Sequence, residues 1–334
     1  VFSGTVPTSV VVNAALVSNP LIQTDSSVVV IASGRPAQAR VSLSVGKSAI
    51  RGFNRDGETT TVTMSLADRQ GNPVPDGTAV NFVTEGGVMI PPTCVTGAVP
   101  GDSKCTVNIR SQNPRPSNGL VSILAYAAGE ENFVDANYNN IYDCGESFSD
   151  LGTAYRDDTA TASGVFNAYV TGEFSVPRSA SQSICALGTT PLPSTGDGVW
   201  GSADVRDQVL VVFSTDDFVI LNPVWTRAAD PLWNGSVVAT KLTVFIQDLN
   251  GRSVPTGSTI SVPVITDNSP TLPSDGAAIA RIGSCALVSQ SHTTVPDSLG
   301  PLALTLDLKQ CVAGDQVSIT VTTPAIMKSY TFTF

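Results

Sequence analysis

With a single histidine among 334 residues, the chain is poor in the side chain that most often carries acid–base catalysis and zinc ligation. That residue, His292, stands in Gln290-Ser291-His292-Thr293-Thr294, which reads as a loop with no nucleophile elbow around it. Lysine and arginine are scarce, 18 together against 28 aspartate and glutamate, giving a net charge of −10. Phosphate binding needs a basic face, and its absence speaks against nucleic acid as a partner. Aromatic residues make up 6% of the chain, and no apolar window runs long enough without Gly, Pro, Ser or Asn to form an amphipathic helix or a membrane span. No Gly-rich loop leads from a strand into a helix to cradle phosphate. The acidic residues cluster in turns, where solvation or a cation explains them better than a glycosidase pair does. The expectation is a protein that is not an enzyme. The chain begins at Val1 with no basic-then-apolar leader, as expected of a processed mature chain or a fragment, and export is the expected history.

What is abundant is Val, Thr, Ser and Gly, the composition of an all-β protein. The organising feature is a repeat. Asp68-Arg69-Gln70-Gly71-Asn72-Pro73-Val74-Pro75-Asp76-Gly77-Thr78 returns as Asp248-Leu249-Asn250-Gly251-Arg252-Ser253-Val254-Pro255-Thr256-Gly257-Ser258. Both copies read D-x-x-G-x-x-V-P-x-G-[TS], and both lie between β-rich runs. Gly71 and Gly251 can take a positive φ, the Val-Pro pair sets an extended segment, and Gly77 and Gly257 permit a second bend. A strand, a turn and a strand therefore recur, and tandem β-sandwiches of immunoglobulin-like type are the expected fold.

The six cysteines have no C-x-x-C pair and no histidine beside them, so a disulfide framework is expected rather than zinc. Six cysteines allow fifteen pairings. Sequence order and the repeat favour Cys94 with Cys105 and Cys285 with Cys311, leaving Cys144 with Cys185. An oxidising, extracellular or cell-surface setting follows.

Along the chain, residues 1–26 precede the first repeat unit, and Val6 to Val17 reads as one strand with Val10, Val12, Ala14 and Leu16 on one face. Two accounts of it stay open. It is the tail or local A strand of a domain, or it is donated to the open edge of another copy, making the protein a filament or fimbrium-type subunit. Residues 27–160 form the first domain, 161–204 a Ser, Thr, Gly and Pro-rich connector with a hairpin around Phe166, and 205–334 the second domain. Within the first domain, Asp56-Gly57-Glu58-Thr59-Thr60-Thr61-Val62, the stretch from Gly71 to Val80, Thr84-Glu85-Gly86-Gly87 and Ser111-Gln112-Asn113-Pro114-Arg115-Pro116 resemble the bacterial immunoglobulin-like domains of the invasin and intimin type, called Big-1. In the second domain the resemblance rests mainly on the repeated turn. It implies an immunoglobulin-like fold outside the cell, in an adhesin or a stalk, and implies no catalysis.

The most chemical stretch is Asp135-Ala136-Asn137-Tyr138-Asn139-Asn140-Ile141-Tyr142-Asp143-Cys144-Gly145-Glu146. Counted from Asp135, side-chain oxygens fall at positions 1, 3, 5, 9 and 12 with the Ile141 carbonyl at position 7, the ligand spacing of an EF-hand calcium loop. A hard cation needs six to eight oxygens about one point, and alternate residues of a coiled loop supply them. Asn140 stands at position 6 where such loops usually have Gly, and Asn tolerates the left-handed conformation better than most residues. The competing reading is that these Asp and Asn side chains only cap turns. The expected cofactor is Ca2+, bound by Asp135, Asn137, Asn139, Ile141, Asp143 and Glu146, in a loop without paired helices.

The functional expectation is mechanical: a surface-fibre subunit or an adhesin stalk, stiffened by calcium and disulfides, whose partners are other copies, neighbouring immunoglobulin-like domains or a host or surface ligand. A different class stays open beside it, a carbohydrate-binding module that uses Trp200, Trp225 or Trp233 as a stacking platform. Trp225 and Trp233 flank Asp230-Pro231, and Asn234-Gly235-Ser236 matches the short glycosylation pattern.

Overall fold

The computed structural model describes residues 8–31, 34–183, 185–230, 236–266 and 284–334. Trp233, Pro231 and Asn234 lie outside the described residues, as do Val6 and Pro7. The described chain is all-β, with one short 3-10 turn, Gln38–Arg40, and no α-helix among the described residues. It divides into two compact units. The first comprises Val1–Gly46, Thr59–Arg110 and Val121–Leu210, and the second Lys47–Glu58, Ser111–Leu120 and Val211–Phe334.

The first unit is a sandwich of two sheets. One orders the strands Thr93–Val95, Ala79–Thr84, Leu120–Glu130 and Ser202–Phe213, the last belonging here through Leu210. The other orders Val41–Val45, Thr59–Leu66, Lys104–Arg110 and Val88–Ile90. Successive side chains of a strand point to opposite faces. Accordingly Thr60, Val62, Met64 and Leu66 are buried on one strand, and Cys105, Val107 and Ile109 on its neighbour, while the residues between them face outward. The Cys94–Cys105 disulfide joins an edge strand of the first sheet to a central strand of the second.

The second unit repeats the design. Phe218–Asp230, Ser236–Asp248, Leu302–Cys311 and Ala286–Gln290 form one sheet, and Gln316–Thr322 pairs with Thr259–Ser261, Val264–Ile265 and Met327–Thr333 in the other. Leu242, Val244, Ile246, Leu304, Leu306, Ile319 and Val321 make its core. Alternate residues of the last strand, Tyr330 and Phe332, pack against that core together with Trp225 and Phe334. Trp225 sits 5.3 Å from the Phe334 ring, and Arg227 lies over the same ring at 5.0 Å, so this tryptophan packs at the edge of the core. Cys285–Cys311 closes the unit.

The repeated turn builds one structure twice. Asp68 Oδ1 accepts the backbone N–H groups of Gln70 and Asn72, and Asp248 Oδ1 those of Asn250 and Arg252. Gly71 and Gly251 take φ of +85° and +73° and donate their N–H to the carbonyls of Asp68 and Asp248. Val74 and Val254 drop into the two cores, exposed by 2% and 1%. Further on, the hydroxyls of Thr78 and Ser258 donate to the carbonyls of Pro75 and Pro255. A carboxylate that satisfies two or more otherwise orphaned N–H groups explains why Asp opens the motif.

The N-terminal segment differs from the single strand expected over Val6 to Val17. Thr8–Val10 pairs with Val29–Ile31, and Asn13–Leu16 turns back on Asn19–Asp25 as a hairpin. The break falls at Val11 and Val12, because Val12 bonds to Ser26 instead: its N–H goes to the side-chain Ser26 Oγ and its carbonyl accepts the Ser26 N–H. Val10 and Val12 are half-buried, whereas Ala14 and Leu16 are exposed. Residues 161–204, read from composition as a connector, lie within the first unit apart from undescribed Ile184. Short bridges tie this stretch together, among them Tyr155 with Ser175 and Gln182 with Leu187.

Candidate metal centre

The strand Leu120–Glu130 delivers the chain to the 135–146 loop. Phe133 and Phe148 form an antiparallel bridge, the Val134 N–H donates to the Ser147 carbonyl and the Ser149 N–H to the Asn132 carbonyl. This short ladder brings the loop ends together, and the Cys144–Cys185 disulfide ties the loop to the stretch that follows it in the same unit.

Inside, the loop coils tightly about its own oxygens. Asp135 accepts the N–H groups of Asn139 and Asn140 at 3.1 and 2.7 Å, one on each carboxylate oxygen. Asn137 Oδ1 accepts the Asn139 N–H, and Asn139 Oδ1 the Ile141 N–H. Asp143 Oδ2 accepts the side-chain amides of both Asn137 and Asn139 at 2.7 Å. Glu146 reaches back with both oxygens, accepting Ala136 N–H at 2.7 Å and Asp143 N–H at 3.0 Å. Asn140 takes φ of +63°, the left-handed conformation the usual glycine would take, and Tyr138 takes +61°. Asp135, Asn137, Asn139, Asp143, Glu146 and the Ile141 carbonyl are thus gathered on one loop, and every candidate ligand atom is a hard oxygen. That donor set fits calcium and suits zinc or copper poorly. The three carboxylates do not yet converge: among the described residues, the group of three ligand-bearing side chains within 4.8 Å is Cys285, Cys311 and Asp315, whose sulfurs are joined to each other.

The surroundings hold the loop in place. Tyr142, buried at position 8, stacks on Trp200 with ring centroids 4.8 Å apart, and Phe133 and Phe148 meet the Tyr142 ring edge-on. The repeated turn contributes a contact that the motif alone did not announce. Arg69 donates to the Asn140 carbonyl at 2.8 Å and Gln70 to the Asn140 Oδ1 at 3.0 Å, while Arg69 pairs with Glu130 and lies over the Phe133 ring. Leu249 and Asn250 occupy the corresponding places of the second copy. The visible signal was this difference at the two variable positions of D-x-x-G.

Beyond the loop, buried carboxylates replace strands as the organisers of the chain. Glu131 is fully buried and accepts the N–H groups of Leu151 and Gly201, while its own carbonyl accepts the indole N–H of Trp200. Burial pushes its carboxyl up to about 7, against the pull of those two N–H groups. Asp197 accepts Ser181 and Val199 N–H, and Asp157 accepts the N–H groups of Thr159 and Asn167. His292, the single histidine, has its Nδ1 3.0 Å from the hydroxyl of its own neighbour Ser291. No helix among the described residues is long and apolar enough to cross a membrane.

No family model and no curated protein matches the sequence. Solved structures similar to it include the Yersinia pseudotuberculosis adhesin InvE, at 14% identity over 90% of this chain and 60% of that one, with a TM-score of 0.25. The D0-D1 domain of intimin is similar at 11% identity over 88% of this chain and 98% of its own, with a TM-score of 0.24. The chain therefore spans 60% of the length of the InvE chain it matches.

Proposed function

We propose that this chain is a segment of an extracellular, cell-surface adhesion structure, in which one calcium ion at residues 135–146 and three disulfides hold β-sandwich units against unfolding. The observation that carries this reading is the coiled loop itself, with oxygens at alternate positions, Asn140 in the left-handed conformation and Cys144 anchored to Cys185. The adhesion class is supplied by the resemblance of Asp56 to Val62 and Gly71 to Val80 to invasin and intimin-type domains. Asp135, Asn137, Asn139, Asp143, Glu146 and the Ile141 carbonyl are the residues that would hold the ion. A bound cation would draw the carboxylates together within a coil that is already set, favouring the folded unit over the unfolded chain. Pulling single chains from both ends tests the reading. Calcium should raise the force at which the first unit opens, and Asp135→Ala should remove that increment; equal forces in calcium and chelator would contradict it.

One observation favours a finer version, a fibre subunit. The Asn13–Leu16 and Asn19–Asp25 hairpin exposes Leu16, Val17, Leu21 and Ile22, by 97% and 91% at Val17 and Leu21. An isolated two-stranded hairpin is marginal in water, and apolar side chains gathered on one suggest that another surface covers it. In this version the covering surface is a second copy of the chain. Negative-stain microscopy should then show fibres from the full chain and single particles when residues 1–26 are removed. Single particles from both would leave the stalk version standing alone.

A further inference from the structure

Basic residues are outnumbered in this chain, 18 against 28 acidic ones, yet three arginines line two cavities of the first unit. One cavity, of about 450 Å³, is walled by Arg35, Arg69, Tyr142, Trp200 and the amide side chains of Asn140 and Gln182. The other, of about 400 Å³, shares Arg35 and Ser202 with it and adds Arg178 and Asp204. Volumes of this size suit one or two sugar rings. The two arginines farther from the rim are fixed. Arg69 is held by Glu130, the Asn140 carbonyl and the Phe133 ring, and Arg178 by the carbonyls of Ser202 and Leu151. Arg35 is exposed and donates to Ser202 Oγ at 3.1 Å. Tyr142 stacks on Trp200 at 19° between ring planes, and the indole N–H is tied to the Glu131 carbonyl, so the platform is fixed before any ligand arrives.

We infer that these cavities form a binding site for an acidic saccharide, a hexose ring carrying a carboxylate or sulfate. The chemistry divides cleanly. An aromatic ring face offers the flat, polarisable surface on which the apolar face of a sugar ring lies. A guanidinium matches the fork of a carboxylate or sulfate in a way that an ammonium does not. Amide groups of Asn140 and Gln182 and the hydroxyls of Ser183 and Ser202 supply the mixed donors and acceptors that ring hydroxyls need. Asp204 stands at the far cavity beside Arg178, Asp197 lies 4.0 Å from Arg178, and Glu130 is paired with Arg69, so the exposed Arg35 is the guanidinium presented to the solvent side of the cavities. A neutral glycan uses the aromatic half of this arrangement but not the guanidinium.

This site stands on the lining geometry and not on calcium, although Asn140, Ile141 and Tyr142 belong to both the loop and the cavity wall. Saturation-transfer NMR and tryptophan fluorescence on the full chain test it. The ligands are a glucuronate-containing tetrasaccharide, a sulfated tetrasaccharide and neutral maltotetraose, each run in calcium and in chelator. The expected result is millimolar or tighter binding of at least one acidic ligand, with maltotetraose weaker by about tenfold, and a further weakening by about tenfold in Arg35→Ala. The carboxylated and sulfated arms show which anion is taken. Arg35 is exposed, so its variant folds, and Trp200→Phe should blunt the fluorescence response while retaining a stacking face. Binding in either buffer supports the site. No acidic ligand bound in both buffers, equal binding of the neutral ligand, or an unchanged affinity in Arg35→Ala would overturn it. Failure of calcium binding is read separately by calorimetry.

Discussion

Asp248→Ala lowers the stability of the second unit by about 3–5 kcal/mol. Asp248 is fully buried, and its two oxygens accept three backbone N–H groups, those of Asn250 and Arg252 on one and that of Thr215 on the other. Alanine removes every acceptor while the turn keeps its donors inside the fold, and each buried donor left without a partner costs about 1–3 kcal/mol. Water admitted to the emptied space recovers part of that loss, which sets the lower end of the range. Asp248→Asn retains one carbonyl oxygen and should fall between the two. Asp68→Ala should reproduce the effect in the first unit, since Asp68 accepts the N–H groups of Gln70 and Asn72 and the Asn72 amide. Urea unfolding checks this. A loss below about 1 kcal/mol, the net value of one ordinary hydrogen bond, would mean that the carboxylate does not organise the turn.

Saturating calcium should raise the melting temperature of the first unit by roughly 5–10 °C, from about 2.7 kcal/mol of linkage at a hundredfold excess over Kd. The argument is electrostatic. Asp135, Asp143 and Glu146 carry three like charges on one loop, and in the structure they are balanced by loop N–H groups and by the amides of Asn137 and Asn139. A divalent cation at their centre would replace repulsion with coordination, at little cost in ordering because the coil, the Asn140 conformation and the Cys144–Cys185 anchor are already set. Asp135→Ala and Glu146→Ala should each abolish the shift, with a smaller fall of the melting temperature in chelator because the loop N–H groups they release are open to water. Differential scanning calorimetry with and without calcium measures both.

The sandwiches were legible because their signals are local. Gly71 and Gly251 mark positive φ, Asp68 and Asp248 mark a turn whose N–H groups need an acceptor, and alternation in Thr59–Leu66 and Lys104–Arg110 marks half-buried strands. For the cysteines, chain order and the repeat pointed to two pairs and left the third, and the structure contains Cys94–Cys105, Cys144–Cys185 and Cys285–Cys311. What escaped depends on partners distant in sequence. The stretch beyond Glu131 is held by Glu131, Asp157 and Asp197, and an acidic residue among Ser, Gly and Pro reads from sequence as solvated, not as a buried acceptor. Trp200 reads as one of three interchangeable platforms, yet its place on Tyr142 and Glu131 distinguishes it from Trp225, which packs at a core edge. The N-terminal strand reads as continuous because Val10 to Val17 is apolar but for Asn13 and holds no Gly or Pro, and nothing local to it reveals that Ser26 interrupts the pairing at Val12. Arg69 and Gln70 likewise look like ordinary turn residues until the loop they hold at Asn140 is in view.

Titration calorimetry with calcium on the metal-free chain tests the central claim most directly. The account predicts one site whose heat disappears in both Asp135→Ala and Glu146→Ala and persists in Asp150→Ala, outside the loop. Absence of binding heat over a range of temperatures, or binding that survives both loop substitutions, would contradict it.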